Sequence, residues 1–421
     1  MPDYRPKSST LRKVEKIALP CYTQGMGDYS EFIIPEIREI ESVLRYASAG
    51  QLRLVGGAVR DILLGVEPKD YDLATVLRPE IVKGYFERTG YVVIPTGLQH
   101  GTVTVMVNGE PFEITTLRID TETDGRHAKV EFTDDWKLDA KRRDFTINAM
   151  SIDMAGNLFD YFGGQEDLVQ RRVRFVGDPV KRIEEDYLRI LRLFRFFSRL
   201  GKIEIDDQTK SAVITQAFGL SNISGERIWM EIQKILTGHL VEKNLKLMCD
   251  LGVMNHIGFG HFNYEAAGVT SCLTRNPITI LTAGINESQI GTVEDRWKVS
   301  GNERKLLRFL FNWRHEAFEN LRFFQDLMVN RKTPDEWVIE LAALQARPDV
   351  IDELRTWNVP VFPVIGHDLL NIGIPQGPRI GKVLNYLERV WIARHYKPTK
   401  KELIEYYESG DQNEHTRGSN P

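Results

Sequence analysis

The stretch LRLVGGAVRDILLGVEPKDYDLAT, residues 52–75, leaves a chain few ways to fold. Leu52, Leu54 and Val55 read as a short strand, and Gly56-Gly57 behind it turns the backbone where a Cβ would obstruct a ligand. Val59, Ile62, Leu63 and Val66 then recur at helical spacing, so the glycines stand at a helix start whose free N–H groups suit an anion. Arg60 adds positive charge to that anion site. Asp70-Tyr71-Asp72-Leu73-Ala74 alternates as a second strand, and a spacing of two puts both carboxylates on one face.

Two like charges on one face are costly without a cation between them, which makes Asp70 and Asp72 candidate ligands for Mg²⁺. Two metals about 3.5–4 Å apart can activate a hydroxyl and steady a leaving pyrophosphate. A lone GG or DxD is common, but here strand, GG, Arg-Asp helix, short loop and DxD follow in order. That order resembles the DNA polymerase beta-like nucleotidyltransferases. More narrowly, GGAVRD followed by KDYDLAT resembles the class II tRNA nucleotidyltransferase and bacterial poly(A) polymerase family.

Around this stretch the spacing predicts a helix over Ile33–Ser48, another near Pro79–Arg88, and β-rich runs at Tyr91–Ile94, Gly101–Val107 and Pro111–Thr116. Glu113 on the last run is either a third carboxylate for the metal site or an ordinary exposed strand residue. RIDTETDGRHAKV, residues 118–130, is polar and reads as a long loop; the resemblance implies a loop that takes part in switching from adding C to adding A. RRDFTINAM, residues 142–150, reads as an apolar helix with Asp144 at its favoured acidic start. The same run resembles the family's second motif, which implies that Arg143 contacts the nucleotide and that Asp144 with Asn148 recognises ribose.

In KRIEEDYLRILRLFRFFSRL, from residue 181, Asp186, Arg189, Arg192 and Arg195 recur at three-residue steps, which predicts one charged helix ridge and a nucleotide-facing set. Glu185-Asp186-Tyr187-Leu188-Arg189 resembles the family's EDxxR motif, whose Asp and Arg act as an amino-acid template for the incoming base. The chemistry agrees: cytosine and adenine each present an amino donor beside a ring acceptor, which an Asp–Arg pair complements. Uracil and guanine present the reverse.

At 421 residues the chain exceeds one ordinary core. The fold class expected is α+β: a nucleotidyltransferase head with a small mixed sheet and helices, followed by an all-α neck, body and tail. The expected divisions are a flexible segment 1–29, a head 30–150, a neck 151–235, a body 236–335, a tRNA-binding tail 336–408 and a disordered end 409–421. A formal charge of −4 does not announce a nucleic-acid binder. Lys382, Arg389, Arg394, Lys397, Lys400 and Lys401, amid Tyr386, Trp391 and Tyr396, nevertheless read either as an RNA-contacting patch or as a solvated helix face. Cys21, Cys249 and Cys272 show no paired spacing, and His256, His261 and His367 complete no metal site. No apolar run reaches the roughly 18–20 residues of a membrane span, so a soluble protein is expected. Basic residues among the first 29 leave a mitochondrial address open beside a cytoplasmic or nuclear one. The resemblance implies CTP, ATP and tRNA as partners, Mg²⁺ as cofactor and a monomer or homodimer. Its rivals are a poly(A) polymerase, a CC-only or A-only enzyme, and a non-catalytic RNA-binding protein on the same fold.

Overall fold

The computed structural model describes residues 28–47, 51–123, 128–316, 321–329 and 333–409. The flexible segment and disordered end expected at the termini thus fall almost wholly outside the described residues. The chain packs as two compact units that divide between Arg304 and Lys305.

The first unit begins with α1 (Pro35–Leu44), which has proline in its first turn and buries Ile37, Ile40, Val43 and Leu44 along one stripe. A mixed sheet follows from β1 (Leu52–Val55), β2 (Asp72–Thr75), β3 (Val92–Gly97), β4 (Thr102–Val107), β5 (Glu110–Thr116), β8 (Met150–Asp153) and β9 (Leu158–Asp160). Its order is β3-β4-β5-β2-β1-β8-β9, with β2 and β5 parallel and every other neighbouring pair antiparallel. Leu54, Val103, Val105, Val107 and Ile152 are fully buried on this sheet, as strict alternation requires. Helices α2 (Gly57–Leu63), α3 (Pro79–Arg88), α4 (Trp136–Lys141) and α5 (Gly164–Val169) complete the head.

Two sequence expectations change here. Residues 118–130 are not a loop throughout: β6 (Arg118–Thr123) and β7 (Ala128–Phe132) pair as a separate antiparallel ladder, with 124–127 outside the described residues. Their β-branched Ile119, Thr121, Thr123 and Val130 carry the strand propensity that the polar composition hides. Nor does RRDFTINAM open an α-helix. Thr146–Asn148 is one 3₁₀ turn, and the apolar residues beyond it form β8 beside β1. A short apolar run is ambiguous between helix and buried strand, and here an open sheet edge decided it.

From residue 178 the unit is helical. α6 (Pro179–Glu185), capped by Asp178, ends in a break, and α7 (Arg189–Leu200) buries Ile190, Leu191, Leu193, Phe194, Phe196, Phe197 and Leu200 before stopping at Gly201 in left-handed backbone. α8 (Asp207–Gln216) packs on α6, and α9 (Gly225–Leu236) packs on α7. Ser224 stands at the N-cap of α9, although its hydroxyl makes no capping bond.

The second unit gathers helices such as Pro378–Ala393 and Lys400–Glu408 around Val364, Leu369, Val383, Leu387, Trp391 and Leu403. Trp391 is only 2% exposed, so it is core rather than an RNA-facing ring. The Tyr396 hydroxyl donates to Asp326.

Candidate active site

Asp72 opens β2 and lies in register with Glu113 on the parallel strand β5, so both carboxylates stand on one face of the sheet. Asp70 precedes the strand in a bend, and it reaches the same neighbourhood through that bend rather than through strand alternation. Desolvation pushes the Asp72 carboxyl above its usual range although the residue is open to solvent on one side; Arg143 opposes the rise, and Glu113 and Asp70 add to it. Three acids therefore act on one another with one guanidinium beside them.

Gly56 explains how close that guanidinium comes. Its φ is +67°, and a Cβ there would lie 2.9 Å from Arg143 Nη1 and 3.9 Å from Asp72 Oδ2. Only glycine satisfies both the backbone and the gap. Arg143 is itself held by Asp139, whose Oδ2 accepts from Nη2 at 3.1 Å. Asp139 is buried, which alone would raise its pKa, but Arg143 and Arg142 hold it below the ordinary carboxylate range.

Behind this rim runs a buried chain of alternating charges. Asp144 accepts from Arg192 Nε at 2.7 Å, from Asn148 Nδ2 at 3.0 Å and from the Phe145 N–H at 2.9 Å. Asn148 Oδ1 accepts from Arg60 Nη1 at 2.6 Å, and Arg60 also bonds Asp61, whose Oδ1 takes Arg199 Nη2 at 2.7 Å. Burial would raise Asp144, yet Arg192 and these donors keep it below its ordinary value. Burial pulls the Arg60 guanidinium down to about 10, which leaves it charged at neutral pH. Arg60 and Arg195 both face the Phe196 ring, at 5.1 and 4.6 Å from its centroid. Arg60 is thus inside the network, 7% exposed, and a Cβ on Gly57 would lie 3.5 Å from its Nη2.

The third group lies at the break between α6 and α7. Asp186 has extended backbone there, so the four charged residues do not form one helix ridge: Arg189, Arg192 and Arg195 belong to α7 and Asp186 precedes it. Asp186 Oδ1 accepts the Leu188 N–H at 3.1 Å and Oδ2 accepts from Arg227 Nη2 at 2.7 Å. Arg189 donates to Glu185 Oε2 at 2.5 Å, to the Arg182 carbonyl at 2.8 Å and to the Arg142 carbonyl at 3.2 Å. Arg195 donates to Glu231 at 3.0 Å.

The model of the poly A polymerase head domain matches residues 52–174, and that of the probable RNA- and SrmB-binding site of polymerase A matches 202–258. The mouse (Mus musculus) mitochondrial CCA tRNA nucleotidyltransferase 1 is 40% identical, over 91% of this chain and 90% of that protein. The chain belongs to the CCA tRNA nucleotidyltransferase family. The CCA-adding enzyme of Leuconostoc citreum, 33% identical over 88% of this chain and 96% of its own, is a bacterial relative. The crystal structure of the Bacillus stearothermophilus CCA-adding enzyme in complex with CTP matches with a TM-score of 0.70 and 26% identity, covering 89% and 97% of the two chains.

For a member of this family the donor chemistry at the rim fits Mg²⁺. That ion takes one or two carboxylates and fills its remaining positions with water and substrate phosphates. Among the described residues no three His, Cys, Asp or Glu side chains enclose a metal by themselves. Sequence reasoning passed over Asp139, Glu185, Arg227 and Glu231, each an opposite-charge partner of a candidate site residue. Asp139 and Glu185 precede Arg143 and Arg189 by four residues, a helical pairing interval that could have flagged them. Arg227 and Glu231 carry no such signal.

Proposed function

We propose that this chain adds C, C and A to tRNA 3′ ends from CTP and ATP without a nucleic-acid template, with Asp70 and Asp72 as Mg²⁺ ligands and Asp186 with Arg189 as the reader of the base. The observation that carries the reading is the convergence of Asp70, Asp72, Glu113 and Arg143 beside Gly56, whose missing Cβ lets the Arg143 guanidinium approach the acids. When bound, Mg²⁺ supplies Lewis-acid stabilisation of charge on the attacking and leaving oxygens. The tRNA 3′ hydroxyl gives up its proton to water and bonds to the α-phosphorus as the bond from that phosphorus to the departing pyrophosphate breaks. Arg143 offers positive charge to the phosphates, and Glu113 completes the acidic rim.

Asp186 accepts from the amino group of cytosine or adenine, and Arg189 donates to the neighbouring ring acceptor. Asp144, Asn148, Arg60, Arg192 and Arg195 hold the floor on which ribose and phosphates rest. A mitochondrial site of action follows the name of the mouse relative. Among the described residues no helix is long and apolar enough to cross a membrane.

The test is tRNA lacking its last three nucleotides, incubated with CTP, with ATP and with both. Two added residues with CTP and three with both are expected. A long A tail would make the chain a poly(A) polymerase, and a stop after C, C in the presence of ATP would make it a CC-adding enzyme.

A further inference from the structure

We infer that the open sheet face beside Asp72 and Glu113, which ends at Val92 and Ile94 on the edge strand β3, is the landing surface for the unpaired 3′ end of the RNA being extended. The inference rests on the nucleotidyl-transfer reading given above.

Strand pairing lays this face out in rows. Asp72 pairs with Glu113, Glu113 with Thr104 and Thr104 with Ile94, and the next row holds Pro111, Met106 and Val92. Paired residues point to the same side of a sheet, so both rows share the face that carries the acids. The opposite face is packed, with Leu73, Ile114, Val103 and Val105 buried on it. Val92 and Ile94 are instead 64% and 38% exposed. β3 stands at one end of the sheet order, and exposed β-branched residues on an edge strand are a liability unless something covers them.

The direction of the reaction says what covers them. Arg143 reaches Asp72 past Gly56, from the β1 side, and so marks where the phosphates of the incoming nucleotide lie. In-line displacement puts the attacking oxygen opposite the leaving one. The hydroxyl therefore comes from the β5 side, and the nucleotides behind it run over β5, β4 and β3. Neighbouring strands stand about 4.8 Å apart, so Ile94, three strands from Asp72, is about 14 Å from it, within reach of a short single-stranded end. Neither row carries Lys or Arg, so these residues do not hold phosphates. Ile94, Val92 and Met106 offer carbon surface to ribose and base faces, which sets no hydrogen-bond pattern for a particular base. Such tolerance is needed because the terminal nucleotide changes with every addition.

The experiment measures the KM for tRNA lacking its last three nucleotides and the KM for CTP, with the full-length chain and its Ile94→Asp, Ile94→Thr and Val92→Asp variants. An RNA hairpin that keeps only the acceptor stem is a second substrate, and melting and sedimentation of each protein accompany the kinetics. Ile94→Asp and Val92→Asp should raise the KM for both RNAs roughly tenfold, with the CTP KM and the melting temperature unchanged. Ile94→Thr keeps the β-branched shape and should raise the RNA KM less; if the aspartate lowers melting, this variant decides. With an active parent, an RNA KM that stays the same in all the variants overturns the inference, and so does a rise shared equally by the CTP KM. A dimeric parent that Val92→Asp turns into monomers, with the RNA KM unmoved, overturns it by assigning the face to a second copy. A parent that adds nothing to tRNA removes the function reading itself, and the inference with it.

Discussion

Asp72 and Asp144 are both carboxylates, and their surroundings push them in opposite directions. Desolvation and its acidic neighbours raise Asp72, so its ionised form is a burden on the folded state. Any stability from this group is present below the unfolded pKa of about 3.9 and is lost as pH climbs through the raised folded value. Asp72→Asn should therefore abolish nucleotide addition, leave tRNA affinity nearly intact and melt no lower than the parent at pH 7; a clear fall in melting temperature would contradict this sign. Asp144 is the mirror case. Held low by Arg192 and Asn148, it stabilises the fold above the unfolded pKa and loses that contribution as pH falls through its folded value. Asp144→Ala strands Arg192 and should cost about 3 kcal/mol in denaturant unfolding at pH 7, with the gap to the parent narrowing only as pH falls below about 4.

At the scale of elements, the close approach of Gly225 to the Arg296 carbonyl makes the start of α9 sensitive to one methyl group. Gly225→Ala should cost about 1–3 kcal/mol in chemical unfolding, and wild-type stability would show that the turn at Arg296 yields freely. β1, the glycine turn, α2 and β2 were legible in the sequence because their signals are local: period-two and period-four spacing within a couple of dozen residues. RRDFTINAM misled because its apolar spacing suits a helix or a strand and only the neighbouring β1 chooses. The break at Asp186 was hidden for a related reason. Three-residue steps continue through it without a proline or glycine, and the contacts that favour it, from Arg227 and Gly219, lie more than thirty residues downstream. Of the site, the acids were readable by type and order, whereas the partners that fix them depend on tertiary neighbours that spacing cannot supply.

Across the whole molecule, the basic residues of the second unit are expected to hold the RNA backbone while the first unit does chemistry. Lys400 is paired with Asp368 at 2.9 Å, whereas Lys401, with its side chain 84% exposed, reaches Glu405 only at 3.7 Å, so Lys397 and Lys401 are the better probes. Reversing both to Glu should raise the KM for tRNA at low salt, leave that for CTP alone, and lose its effect at high salt; an unaltered tRNA KM at low salt would return the patch to ordinary solvated surface. The buried chain from Arg192 through Asp144, Asn148, Arg60 and Asp61 to Arg199 bears on how the protein is made. A ribosome delivers Arg60, Asp61 and Asp144 well before the two arginines that close the chain at either end, and both of those come from α7. Until residue 199 has left the exit tunnel, the nascent head carries Asp144 without its cation and Asp61 with Arg60 alone. Early release of a fragment ending before α7 would hand proteases or chaperones a head that has all its strands and lacks the arginine that neutralises Asp144.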